Sequence, residues 1–204
     1  FLHMDLRHVP PQVHALHDRL MYLMSLNQPT SLTGKTIIAD RPLVSLKYDG
    51  VRVILIVHRA GRRGVMWGLH RGLGVWSIPC VCAPERSVIL DCELIKATRE
   101  IVVFDMLYRD DEECQGSYTQ RIGMLSTIRL PTVAGYTVRM KEFYPPGVVC
   151  QAWYDKLDLA NTDGLIVHDG TSMLGVHARL YKWTPKHTID LYVDRRGRLL
   201  DRSR

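Results

Sequence analysis

The sequence predicts a single α+β domain in which short β-strands outnumber helices. The chain has 204 residues, 46% of them hydrophobic, which suffices for one well-buried core but not for two full-sized domains. Its middle contains short runs rich in β-branched and aromatic residues, separated by turn-forming residues. Fewer stretches place apolar residues at helical spacing, and strands interrupted by a few helices are typical of α+β proteins.

The elements follow in order along the chain. An amphipathic helix is predicted over Gln12–Leu26, after Pro10 and Pro11, and a turn-rich stretch follows it. Two further helices are predicted at Thr119–Ile128 and Val148–Leu159. The predicted strands are Leu43–Lys47, Val51–Val57, Gly64–Trp67, Ser87–Leu94, Ile101–Leu107, Thr137–Phe143, Gly164–His168 and Ala178–Trp183.

Charge and cysteine content limit the function classes. A net charge of +6 and a pI near 9.2 favour a polyanionic partner such as nucleic acid or a nucleoside triphosphate. Five cysteines, an odd number, predict free thiols and an intracellular reducing compartment, meaning nucleus, cytoplasm or virion. Cys80 and Cys82 lack a second pair at zinc-site spacing, which favours two strand or loop cysteines. No apolar run approaches the roughly 20 residues that span a bilayer, so no membrane partner is expected.

One motif carries candidate chemistry: Lys47-Tyr48-Asp49-Gly50-Val51-Arg52, between two predicted strands. Gly50 favours a turn that presents Lys47 beside a sheet. A lysine attacks phosphorus only as the neutral amine, and an ordinary pKa of about 10.4 leaves under one part in a thousand neutral at pH 7. Burial or nearby cations would lower that pKa, whereas an unoccupied carboxylate would raise it. The alternative interpretation is an exposed turn with an incidental arginine.

Further segments follow this motif in a fixed order, and together they resemble the covalent nucleotidyltransferase superfamily of mRNA capping guanylyltransferases and ATP-dependent polynucleotide ligases. The six segments are Lys47–Arg52, Trp67–Arg71, Leu90–Glu93, Val103–Leu107, Thr162–Val167 and Leu180–Trp183. The resemblance implies an ATP-grasp-like, DNA-ligase-type nucleotidyltransferase domain, with antiparallel sheets around a nucleotide cleft.

The resemblance also implies roles for individual residues. Lys47 would be the nucleophile, and Phe104 would stack on the purine base. The ribose, the phosphates and a Mg²⁺ or Mn²⁺ ion would be bound by Arg52, Arg71, Glu93, Asp163 and Lys182, with Glu93 and Asp163 as the metal ligands. Taken alone, Phe104 also fits a core position in a buried strand, and Glu93 a solvated strand end.

Two segments favour the capping branch of the superfamily. Lys182–Leu191 is similar to its Lys-Trp-Lys-Pro element and the Thr-Ile-Asp-Phe-like strand that follows, and Met140–Pro145 resembles another of its segments. The implied function is a compact, virus-like mRNA guanylyltransferase that forms a lysyl-GMP intermediate from GTP and transfers GMP to a 5′-diphosphate RNA end. Thr184 replaces the second lysine of the element, which weakens phosphate contact unless Lys186 or another cation compensates. The alternatives are an ATP-dependent ligase with a lysyl-AMP intermediate and a non-catalytic RNA-binding subunit.

The predicted organisation has three parts: an N-terminal helical segment over residues 1–36, the nucleotidyltransferase domain over 37–194 and a basic tail over 195–204. Relatives append an oligonucleotide-binding barrel, and the basic tail is too short to form one. We expect this barrel to be absent, truncated or supplied by another chain. Other expected partners are the RNA 5′ end, RNA triphosphatase and methyltransferase modules.

Overall fold

The computed structural model describes residues 2–4, 11–31, 42–60, 63–70, 74–144, 162–177, 179–184, 191–193 and 199–201. The helices are α1, Pro11–Leu26, and α2, Tyr118–Leu125. The strands are β1 Leu2–Met4, β2 Thr30–Ser31, β3 Pro42–Tyr48, β4 Val51–Ala60, β5 Arg63–His70, β6 Gly74–Ile78, β7 Cys80–Cys82, β8 Val88–Ile95, β9 Glu100–Arg109, β10 Glu112–Glu113, β11 Thr132–Val133, β12 Thr137–Met140, β13 Thr162–Asp169, β14 Leu180–Trp183, β15 Leu191–Val193 and β16 Leu199–Asp201.

An eight-stranded sheet forms the larger layer of the described fold. Its strands run in the order β1-β6-β5-β4-β8-β9-β10, each antiparallel to its neighbour, and β12 joins β9 as a parallel partner. The central strand β4 is buried on both faces because successive side chains alternate between them. Val53 and Leu55 belong to the apolar cluster on one face, and Ile54 and Ile56 to the cluster on the other.

The two helices cover opposite faces of this sheet. Helix α1 buries Leu20 and Leu23 against the cluster that contains Ile54. Helix α2 begins at Ser117, whose hydroxyl accepts a hydrogen bond from the Gln120 amide in a capping box, and its Leu125 packs on the opposite face. Both helices confirm sequence predictions within a few residues. None of the described helices combines the length and apolar character needed to cross a membrane.

A four-stranded sheet, ordered β2-β14-β13-β3, forms the second layer. Strand β13 pairs antiparallel with the edge strand β3, with Ser45 opposite Ile166 and Leu46 opposite Leu165. One face carries a small apolar cluster that includes Val44. The other face carries the alternate residues, among them Ser45, Lys47, Ile166 and His168, and this face turns toward the larger sheet.

The predicted strands are present, and the structure adds several that the sequence patterns did not show. The additions are short strands or edge strands: β1, β2, β6, β7, β10 and β11. The predicted strand Thr137–Phe143 ends at Met140, since only its first four residues pair with β9. Within the predicted basic tail, β16 pairs with β15 as an antiparallel hairpin. The helix predicted at Val148–Leu159 lies outside the described residues.

Candidate nucleotide site

A cleft of about 260 Å³ opens between the two sheets. Its walls come from the end of α1, the β3–β4 turn, strands β8 and β9, the segment after β12, and strands β13 and β14. Charged residues of both signs and aromatic rings line it together, which suits a ligand that is part phosphate and part planar base. The lining includes Asn27, Lys47, Tyr48, Gly50, Arg52, Asp91, Glu93, Phe104, Tyr118, Lys141, Ile166, His168 and Arg179.

Lys47 projects into this cleft from the end of β3. Its Nζ forms an ion pair with the Asp163 carboxylate at the start of β13. The lysine side chain is 23% exposed and that of Asp163 is 52% exposed, so the pair lies at the open side of the cleft. The structure therefore shows Lys47 paired with a carboxylate that a ligand can reach.

Two glycines, one shortly after Lys47 and one directly after Asp163, allow the backbone to pass close to neighbouring strands. A Cβ at Gly50 would lie 2.7 Å from the Leu94 carbonyl oxygen and 2.8 Å from Cγ of Glu93. Gly164 follows Asp163 with φ of +125°, and a Cβ there would collide with the Trp183 carbonyl oxygen. Only glycine fits either position without displacing the neighbouring strand.

Arg52 forms a buried clamp across the sheet. Its Nε and Nη2 donate to the two carboxylate oxygens of Asp91 at 2.9 and 2.5 Å. Its Nη1 donates to the backbone carbonyls of Asn27, at 2.8 Å, and Met24, at 3.4 Å, at the end of α1. Asp91 is only 1% exposed. Through these contacts, Arg52 anchors the end of α1 to β4 and β8. Its guanidinium, predicted to contact ribose or phosphate, is therefore occupied by Asp91 and two backbone carbonyls.

Glu93 lies two residues after Asp91 and faces the cleft, half-buried. Burial raises the pKa of Glu93 to about 7, and the nearby cations Lys141 and Arg52 only partly oppose this rise. The carboxyl group therefore changes charge near neutral pH and becomes a fully charged ligand only above that range.

Phe104 and Tyr48 hold a second lysine in the cleft. Lys141, just past β12, has its Nζ 5.3 Å from the centre of the Phe104 ring and 5.7 Å from that of Tyr48. Burial lowers the pKa of Lys141 to about 8, although the charge of Glu93 opposes this. Phe104 is half-buried on a strand whose neighbouring positions are buried, so its ring borders the cleft rather than the core.

The inner end of the cleft is built from neutral aromatic groups. His168 stacks on Tyr118 with ring centres 4.9 Å apart, and its Nε2 lies 3.0 Å from Oγ of Ser45. Burial, followed by the charge of Lys141, holds the pKa of His168 well below its usual range, so this ring is neutral. The Tyr118 hydroxyl donates to the Phe104 carbonyl at 2.9 Å and so joins this wall to β9.

Beneath this wall lies a buried ion pair. Asp105 accepts hydrogen bonds from Nε and Nη2 of Arg121, each at 2.9 Å. Burial raises the pKa of Asp105 to about 6, against the opposing effect of Arg121. The pair ties α2 to β9 next to Phe104 and has no free carboxylate oxygen facing the cleft.

The remaining predicted residues have different outcomes. Lys182 lies directly opposite Ile166 across the β13–β14 pairing, so both side chains leave the same sheet face. Ile166 is among the described residues that line the cleft, whereas Lys182 is not. Arg71 lies outside the described residues. The structure thus brings Lys47, Arg52, Glu93 and Phe104 to one cleft, and Asp163 pairs with Lys47 at its open side.

The fit of a divalent metal ion depends on two carboxylates. Among the described residues, no group of three or more His, Cys, Asp or Glu side chains is arranged to hold a metal. Mg²⁺ commonly binds proteins through one or two carboxylates while substrate phosphates and water complete its coordination. Asp163 pairs with Lys47, and Glu93 lines the cleft, so two carboxylates near this lysine supply the type of donor that such an ion takes.

No protein-family model and no curated protein sequence matches the chain. Among solved structures, the chain resembles the ligase domain of LigD from M. tuberculosis, with a TM-score of 0.53 and 19% identity, covering 81% of this chain and 61% of that one. It also resembles a mycobacterial DNA ligase D complexed with ATP and MES, with a TM-score of 0.54 and 17% identity, covering 81% of this chain and 62% of that one. The chain has the fold of a ligase nucleotidyltransferase domain. It spans about three fifths of these neighbours' length.

Several cleft residues are not among the predicted site residues, and Asp91 and Lys141 are two of them. The sequence pattern places Asp91 in the Leu90–Glu93 segment but does not reveal its pairing with Arg52. Lys141 belongs to the capping-like segment Met140–Pro145. The scarcity of lysine, 7 among 27 basic residues, is the sequence signal that could have identified it.

Proposed function

We propose that this chain is a covalent nucleotidyltransferase domain in which Lys47 takes up a nucleotide. The Nζ atom attacks the α-phosphorus of a nucleoside triphosphate, the P–N bond forms, and the bond to the bridging oxygen breaks to release pyrophosphate. The amine proton is lost in this step. An acceptor phosphate oxygen then attacks the same phosphorus and regenerates the free lysine. The observation that carries this proposal is the position of Lys47, at the open side of a cleft that Glu93, Phe104 and Lys141 also line.

The ion pair between Lys47 and Asp163 defines the resting state. In this state the Nζ atom is engaged by the carboxylate, so it must leave Asp163 before it can attack phosphorus. A divalent ion held by Asp163 and Glu93 would supply charge neutralisation for the phosphates and for the carboxylates. Asp163 is the exposed member of the pair, so it is the residue that substrate or ion reaches first.

Guanine is the favoured base on account of Lys141. An ammonium group can only donate hydrogen bonds. Guanine offers the acceptors O6 and N7 on one edge, whereas adenine presents an amino donor in place of O6. With its Nζ 5.3 Å from the centre of the Phe104 ring, Lys141 is within reach of the edge of a base stacked there. Together with the capping-like segments Lys182–Leu191 and Met140–Pro145, this supports GTP as substrate and a 5′-diphosphate RNA end as acceptor.

An ATP-dependent polynucleotide ligase is the second candidate. The structural neighbours are ligase domains, and one of them is a DNA ligase D complexed with ATP. The same lysine chemistry would then give a lysyl-AMP intermediate. In either case, an oligonucleotide-binding barrel, RNA triphosphatase or methyltransferase module remains a proposed partner, and Arg71 and Lys182 remain proposed nucleotide contacts.

The test is covalent labelling with α-³²P-GTP or α-³²P-ATP in the presence of Mg²⁺ or Mn²⁺, followed by denaturing electrophoresis. We expect acid-labile label from GTP in the wild type and none in Lys47→Ala. A Lys141→Met variant should shift the GTP-to-ATP labelling ratio toward ATP by about tenfold, the value of one hydrogen bond to a charged donor. Label from ATP alone would establish the ligase alternative, and absence of label from both nucleotides would refute the covalent mechanism for this chain.

A further inference from the structure

The hairpin turn between β8 and β9, residues 96–99, lies at the end of the larger sheet where β4 begins. Gly50 packs against the backbone of Leu94, two residues before Lys96. At roughly 3.3 Å per strand residue, Lys96 therefore begins about 7 Å beyond this contact. The turn and the nucleophile motif share one end of the larger sheet.

A chain of hydrogen bonds makes the same connection from the other side of the turn. Both Nη atoms of Arg139 donate to the Tyr48 hydroxyl at 3.3 Å, and its Nε donates to the Glu100 carboxylate at 2.8 Å. Tyr48 follows Lys47, and Glu100 follows Arg99. Arg139 thus links the side chain of Tyr48, next to Lys47, to the side chain of Glu100, next to Arg99.

The turn carries positive charge that the described residues do not neutralise. Lys96 and Arg99 are both exposed, and neither forms an ion pair with a described residue. The neighbouring carboxylate of Glu100 is already engaged, because one of its oxygens accepts from Arg139 and the other accepts from the Thr98 hydroxyl at 2.9 Å. Two exposed cations without an ion-pair partner among the described residues are suited to phosphate groups from another molecule.

The backbone of the turn is held in place, although its conformation is unfavourable for arginine. Arg99 has φ of +54°, in the left-handed region where glycine or asparagine is less strained. Its N–H donates to the Lys96 carbonyl at 3.4 Å, and its carbonyl accepts from the Thr137 amide at 2.9 Å. A left-handed residue commonly closes a short hairpin loop, and these hydrogen bonds present the two cations from a defined turn.

We propose that Lys96 and Arg99 bind the phosphodiester backbone of the acceptor RNA just behind its 5′ end. The proposal rests on the proposed function, because these two cations would bind the RNA strand whose 5′ end reacts with the lysyl-nucleotide at Lys47. Such contacts bind without reading sequence, and they fix the register of the strand relative to the reacting phosphorus.

The experiment compares two doubly substituted variants of the 204-residue chain that lose the same charge. Lys96→Gln/Arg99→Gln removes the turn cations, and Arg86→Gln/Arg129→Gln removes two exposed arginines outside it. Binding of a 3′-fluorescein RNA 20-mer with a 5′-diphosphate is followed by anisotropy from 50 to 200 mM salt. Covalent labelling of Lys47 with GTP is measured in parallel.

We expect the turn variant to bind RNA about tenfold more weakly at 50 mM salt, with a salt slope smaller by about 1.4, or 0.7 for each lost phosphate contact on a single strand. Its labelling at Lys47 should match that of the wild type and the control. Equal RNA binding by the two variants would overturn the proposal whatever the labelling. Loss of RNA binding in the turn variant, with no labelling even in the wild type, would refute the proposed function and leave the RNA surface standing.

Discussion

The substitution Asp91→Asn should be among the most destabilising single changes at the candidate site. Asp91 is 1% exposed and accepts two hydrogen bonds from Arg52, at 2.9 and 2.5 Å. Asparagine has nearly the same shape but no charge, so Arg52 would remain buried with only neutral acceptors: one amide oxygen and the carbonyls of Asn27 and Met24. Removing one member of a buried pair costs about 3 to 5 kcal/mol.

The assays are urea denaturation and thermal melting, both followed by far-UV circular dichroism, with Asp110→Asn as the matched control. Asp110 pairs with Arg86 at the surface, with both side chains exposed, and such pairs contribute about 0 to 1 kcal/mol. For a chain of this length, Asp91→Asn should lower the melting temperature by roughly 6 to 20 °C. The reasoning is refuted if the two variants lose the same free energy of unfolding.

Two further predictions concern single side chains and single glycines. Glu93 should titrate near pH 7 by carbon-13 NMR, and Lys141→Met should raise that pKa, because the lost cation favoured the carboxylate. Since its folded-state pKa is raised above the ordinary value near 4.3, the stability that Glu93 contributes at low pH should be lost between about pH 4 and 7, and Glu93→Gln should flatten this loss in melting temperature. Gly164→Ala should cost more than about 2 kcal/mol, because its φ is +125° and its Cβ would collide with Trp183, whereas Gly123→Ala in α2 meets open space and should gain up to about 1 kcal/mol in chemical denaturation. A stable Gly164→Ala protein or an ordinary titration of Glu93 would contradict the respective argument.

The N-terminal helix is part of the candidate site rather than an appendage to it. Arg52 holds the carbonyls of Met24 and Asn27, and Asn27 lines the cleft together with the two residues that follow it. Removing residues 1–26 would therefore uncover Arg52 and open one wall of the cleft.

Local sequence determined most of the elements and the candidate nucleophile. The run Val53–Val57 is apolar at every position because both faces of its strand are buried, and α1 shows its apolar spacing because only one side is buried. The motif from Lys47 to Arg52 was recognisable because a glycine turn between two strands leaves a local trace in residue order.

Tertiary structure alone decided which charges meet. Arg52 contacts Asp91 from 39 positions away, and Lys47 contacts Asp163 from 116 positions away. Lys141 reaches the cleft because β12 joins β9 in parallel, a pairing set by the whole sheet rather than by nearby residues. The pKa of Glu93 depends in the same way on burial between two sheets. The spacing of apolar residues indicates which side of each segment is buried. Ion pairs and protonation depend on distances across the fold, which local patterns do not encode.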